Sequence, residues 1–173
     1  MACKFALVVF CLFVVGYVDA TSDDLWKILS GNEKFHLVSR TYSMGNNECA
    51  YMKVTSKDEG THTLQTLMGY RDGNTQKYMG PGSYTITVNG DQMTVRLASG
   101  SAGVTYKLEY SDGKGCNILK GQAGQRDGEC ELWAPQGQEA DAQGDTCTAK
   151  FGEHCAAAVQ KPYKDNCQIP DAK

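Results

Sequence analysis

Six cysteines constrain this chain more than any other feature. The sequence holds eight, but Cys3 and Cys11 fall in a segment laid out like a secretory leader. Lys4 precedes an apolar run from Phe5 to Val15, and Val18 and Ala20 supply the small residues that a signal peptidase reads. The run is eleven residues long, short of the roughly 20 that cross a bilayer. Residues 1–20 therefore read as a signal peptide and residues 21–173 as one mature domain. Cys49, Cys116, Cys130, Cys147, Cys155 and Cys167 remain in it. An even count in an exported chain implies three disulfides, and spacing alone leaves fifteen pairings open. The expected setting is secreted and extracellular.

Other uses of the cysteines are weaker. No C-x-x-C occurs, and His36, His62 and His154 are not spaced as metal ligands. With all six cysteines paired, none is free as a nucleophile, and no G-x-S-x-G is present. An enzyme and a cofactor are therefore not expected. A net charge of −3 gives no footprint for nucleic acid. No second apolar run exists to hold the mature chain in a membrane.

The hydrophobic pattern changes period once the leader ends. Thr21-Ser22-Asp23-Asp24 caps a short helix carrying Leu25, Trp26, Ile28 and Leu29, which Gly31 stops. Beyond it, alternating segments rich in Thr, Tyr, Val and Ile read as strands. They are Phe35–Tyr42, Cys49–Lys57, Thr61–Tyr70, Thr75–Met79, Ser83–Asn89, Gln92–Ala98, Gly103–Tyr110 and Glu129–Ala134, with a shorter piece at Cys116–Leu119. Asp72-Gly73, Asn89-Gly90 and Asp112-Gly113 mark turns, and Asn89-Gly90 reads as a two-residue hairpin. Pro135–Thr146 reads as a long polar loop, Cys147–Gln160 as a helix, and the rest as an extended tail. Consecutive hairpins favour an all-β, eight-stranded antiparallel up-and-down barrel with little helix. Closing the barrel removes the sheet edges, and its interior has room for side chains or one small ligand. A β-sandwich is the structural alternative, without the cysteine–tryptophan spacing of immunoglobulin domains.

Three segments carry a family resemblance. Asp24-Leu25-Trp26-Lys27 opens the first helix, and Asn47-Glu48-Cys49 follows the first strand. Then comes Cys116-Asn117-Ile118, twelve residues, Glu131-Leu132-Trp133, thirteen residues, and Cys147. Together they resemble the tick salivary lipocalins, the histamine-binding-protein family, with its soft-tick branch looking nearest. The resemblance implies a lipocalin barrel with the closing helix packed on it, Cys49–Cys167 and Cys116–Cys147 bridges, and Cys130–Cys155 as the pair left over. Strand alternation agrees with that last pair. If Cys130 faces outward to meet Cys155, Glu131 and Trp133 face inward.

The resemblance also implies that a small host mediator is held and removed from circulation, histamine or serotonin first. A buried ammonium needs a carboxylate, which Glu131 supplies, and Trp133 offers a ring face. Tyr42, Asn117, Tyr106 and Trp26 complete the expected ligand set. Asn117 stands where the amine signature has Asp, and Ile28 where histamine binders have Ser, so the single cation of serotonin fits better. A leukotriene or fatty-acid scavenger is an alternative, for which Arg40 or His36 would have to turn inward, although Arg40 is expected to be exposed. A protein-binding inhibitor of host defence, acting through Pro135–Thr146, is another. The mature chain is expected to be a monomer whose partner is a small molecule.

Overall fold

The alternating segments close on themselves. In the computed structural model, residues 24–100 and 102–171 are described; the expected signal peptide and the capping residues Thr21 to Asp23 lie outside them. Eight strands follow in chain order: β1 Lys34–Arg40, β2 Asn47–Asp58, β3 Thr63–Asp72, β4 Tyr78–Asn89, β5 Gln92–Leu97, β6 Val104–Ser111, β7 Asn117–Gly121 and β8 Cys130–Pro135. Each pairs antiparallel with the next, and β8 returns to β1, so the sheet is a closed lipocalin-type barrel. Three helices accompany it: α1 Asp24–Gly31, α2 Glu139–Gln143 and α3 Asp145–His154. No helix among the described residues is long and apolar enough to cross a membrane.

Period-two alternation divides the apolar residues between two cores. The inner one fills part of the barrel with Phe35, Met52, Leu64, Ile86, Met93, Tyr106 and Leu119. Leu25 and Leu29 of α1 join it, with Ile28 packed alongside, because positions i, i+3 and i+4 share one helix face. The outer core lies under α2 and α3 and gathers Val38, Cys116, Ile118, Cys130, Leu132, Ala134 and Phe151. Strands β1 and β8 are therefore covered on both sides, whereas β4 and β5 show exposed residues at the outer positions.

Several boundaries differ from the sequence reading, each for a local reason. Of the expected piece Thr75–Met79, residues 75–77 lie in the turn after β3, and Tyr78 and Met79 join Ser83–Asn89 in one strand, β4, whose pairing with β3 slips between Met68 and Tyr70. Gly69 sits at that slip, where a Cβ would stand 2.7 Å from the Met79 carbonyl oxygen. The β4–β5 turn is Gly90-Asp91, since Asn89 pairs with Gln92. Gly90 takes φ 64° and Asp91 does not follow it, the pattern of a type II′ turn. The expected loop Pro135–Thr146 contains α2, which buries Glu139 and Ala142, so it is not a free loop. The expected helix Cys147–Gln160 starts at Asp145 and ends at His154. Cys155 is extended there, and the backbone of Val159 and Gln160 bonds Arg40 instead of continuing the helix.

The disulfides join Cys49 to Cys167, Cys116 to Cys147, and Cys130 to Cys155. Two of them fasten the α2–α3 layer to β7 and β8. The third ties the tail to β2, where the Cys49 N–H leaves the ladder and donates to the Pro162 carbonyl at 2.8 Å.

Candidate functional site

The barrel encloses a cavity of about 350 Å³. Its body is apolar: Leu25, Ile28 and Leu29 come from α1, and Phe35, Met52, Met68, Met93, Val95, Leu108 and Leu119 from the strands. Its polar end is built by Tyr42, Tyr106, Asn117, Arg126, Glu131 and Trp133. The β8 alternation puts Glu131 and Trp133 inside, while Cys130 and Leu132 go to the outer core.

Glu131 is 6% exposed. Its Oε1 accepts the Tyr42 hydroxyl through a short hydrogen bond, and the Tyr106 hydroxyl at 3.0 Å. Its Oε2 accepts the Trp133 indole N–H at 2.7 Å. These donors are neutral, and among the described residues no Lys, Arg or His stands within ion-pair distance of this carboxylate. Burial, then the Glu131 charge, then the hydrogen bond push the Tyr42 phenol well above its ordinary value. Burial and the Glu131 charge push Tyr106 up in the same direction. Both phenols therefore stay protonated donors. A carboxylate offers about four acceptor positions, so three donors leave one on Oε2 for a further donor.

The other expected residues divide. Asn117 borders the cavity, but its amide is engaged: Nδ2 donates to the Lys114 and Trp133 carbonyls at 3.0 and 3.1 Å, and Oδ1 accepts from Ser111 at 2.8 Å. Trp26 does not line the cavity. Its indole N–H donates to Glu59 at 2.9 Å, and its ring stacks on His62 at 4.7 Å. Arg40 is buried, at 3% exposure, contrary to expectation. Its Nε donates to Gln160 Oε1 at 2.8 Å and its Nη2 to the Asn47 carbonyl at 3.2 Å, so it anchors the tail. Burial lowers its pKa. His36 faces outward, with Nδ1 against Glu139 Oε1 at 2.7 Å. Neither Arg40 nor His36 can serve a ligand in the barrel as they stand.

Arg126 is the functional candidate that sequence reading missed. It ends a 3-10 turn, Gly124–Arg126, between β7 and β8, and reaches the cavity with its guanidinium carbon 3.7 Å from the Tyr42 ring centroid. Nothing in Gly-Gln-Arg-Asp-Gly separates it from a solvent-facing turn residue. The one usable signal is topological: β1 and β8 are neighbours, so the loop entering β8 lies beside the residues leaving β1.

A profile of the tick histamine binding protein family matches residues 19–169. The structure resembles that of AM182 in a serotonin complex, with a TM-score of 0.62 and 22% identity over 86% of this chain and 93% of that one. It also resembles japanin from Rhipicephalus appendiculatus bound to cholesterol, with a TM-score of 0.61 and 15% identity over 79% of this chain and 95% of that one. At these identities the two structures speak to the fold.

Proposed function

This chain belongs to the tick histamine-binding protein family, and from that premise we propose that it is a secreted, monomeric ligand trap without catalytic activity. Its ligand is a small monoamine with an apolar body, held by Glu131. One observation carries the reading: a buried carboxylate, fixed by three neutral donors, at the polar end of an otherwise apolar cavity. Desolvating such a charge is unfavourable by several kcal/mol, and a bound ammonium offsets that cost. The single acceptor position left on Oε2 suits one cation. Asn117 adds no second, since its donors and its acceptor are already engaged. A serotonin-like amine is therefore preferred to the doubly protonated form of histamine, and the serotonin complex of AM182 makes serotonin the first compound to try.

Arg126 favours a second reading, a carboxylate-bearing lipid, because it brings a cation to the same cavity. Calorimetry against serotonin, histamine and a fatty acid separates the two. Serotonin binding is expected to weaken by roughly 2–5 kcal/mol in Glu131→Gln, as when one partner of a buried charge pair is removed. Fatty-acid binding that survives Glu131→Gln, with no amine binding in the wild type, would overturn the amine reading.

A further inference from the structure

Arg126 has a geometry that the amine reading leaves unused. Its guanidinium lies over Tyr42, the same ring whose hydroxyl donates to Glu131. Among the described residues its Nη2 reaches only the Met44 sulfur, at 3.4 Å, a weak acceptor. A tyrosine face next to a carboxylate is where a ligand ammonium gains cation–π attraction, and here that face already carries a resident cation. Arg40 also stands 5.4 Å from the same ring centroid, but it is engaged by Gln160 and does not border the cavity.

We propose that Arg126 is a specificity residue that sets the ligand's charge count: the cavity accepts one cationic centre, at Glu131, and rejects a second one beside Tyr42. The inference rests on the amine reading and goes further, because it disfavours a ligand class, the diamines, that would otherwise profit from an acidic, aromatic pocket. Two like charges about 6 Å apart repel enough to change affinity by about 3-fold in a water-like surrounding, and by about 100-fold where the effective dielectric constant is about 20. Arg126 is half-buried and Glu131 buried, so an intermediate penalty of about tenfold is expected.

The test uses a matched pair, 2-phenylethylamine and its para-aminomethyl derivative, which differ by a second ammonium group. Both are titrated calorimetrically at one pH into the mature protein, Arg126→Gln and Arg126→Lys, with serotonin as the reference amine. In Arg126→Gln the preference for the monoamine is expected to shrink by about tenfold. In Arg126→Lys, which keeps the charge, it is expected to persist. Equal weakening of both ligands in Arg126→Gln would overturn the proposal and make Arg126 a packing residue. So would Arg126→Lys behaving like Arg126→Gln. If wild-type protein binds neither serotonin nor the monoamine, the amine reading itself fails and takes this one with it. A failure confined to the ratio leaves the amine reading intact.

Discussion

Replacing Cys49 and Cys167 together by alanine tests what holds the barrel closed. The bridge joins positions 118 residues apart, against 31 for Cys116–Cys147 and 25 for Cys130–Cys155. If a disulfide acts by restricting the unfolded chain, its contribution grows with the logarithm of the loop, giving about 5 kcal/mol for the long loop and about 3.5 kcal/mol for each short one. The two short bridges lie inside the long loop and shorten it for the unfolded chain, which lowers the first figure to about 4.5 kcal/mol. The tail also loses its anchor beside the Cys49–Pro162 and Arg40–Gln160 hydrogen bonds. For a domain of this size the loss corresponds to a melting temperature lower by roughly 10–15 °C. Scanning calorimetry of the three paired alanine variants measures it. The expected order places Cys49/Cys167 lowest in stability. If that variant melts within a few degrees of wild type while a short-loop variant melts far lower, loop entropy is not what this bridge supplies. The tail would then be a local appendage that frays without opening the barrel.

Two further outcomes follow from the polar end of the cavity. Tyr42 and Tyr106 have folded-state values raised above the ordinary 10.0, so above about pH 10 the unfolded chain releases protons that the folded chain keeps; their contribution is intact below that pH and is lost as pH rises. Ultraviolet titration should show one late-titrating phenol fewer in Tyr42→Phe, or in Tyr106→Phe, than in the wild type, whereas one wave near pH 10 in folded protein would refute the buried network. Asn117→Asp would set a carboxylate against the Lys114 and Trp133 carbonyls that Nδ2 now serves, at about 2–4 kcal/mol of stability. Urea unfolding measures that loss, and a variant as stable as wild type with improved histamine affinity would show that Asn117 is a free ligand contact.

The strands were legible because their alternation is a local property, and Glu131 and Trp133 were placed inside by the same parity that sent Cys130 outward. What escaped was tertiary. Arg40 looked like a surface residue, since nothing local shows that Gln160, 120 positions away, returns to cover it. Trp26 looked like a pocket aromatic, yet on α1 the face carrying Leu25, Ile28 and Leu29 meets the cavity, and Trp26 turns to Glu59 and His62. The stretch after Pro135 looked unstructured because α2 is five residues long, too short to show a period. Glu139 gives that turn its purpose by accepting the Gly137 N–H and meeting His36 across the outer face of β1.

Strand β8 connects these layers, and its construction bears on how tightly the cavity can hold a ligand. Its inward residues make the charged end of the cavity, and its outward residues carry the Cys130 bridge and the floor beneath α3. The carboxylate therefore sits on a strand pinned from behind by a covalent bond and from in front by the Tyr42 and Tyr106 hydroxyls, and Trp133 of the same strand fixes its orientation. A group held this way loses little freedom when a ligand arrives, and avoiding that cost raises affinity without adding a contact. On the amine reading, the same pinning would make the cavity selective although most of its wall is apolar. Methionines at 52, 68 and 93 can adapt to the shape of an apolar body, whereas the charge at the far end cannot move to meet a ligand that places its cation elsewhere.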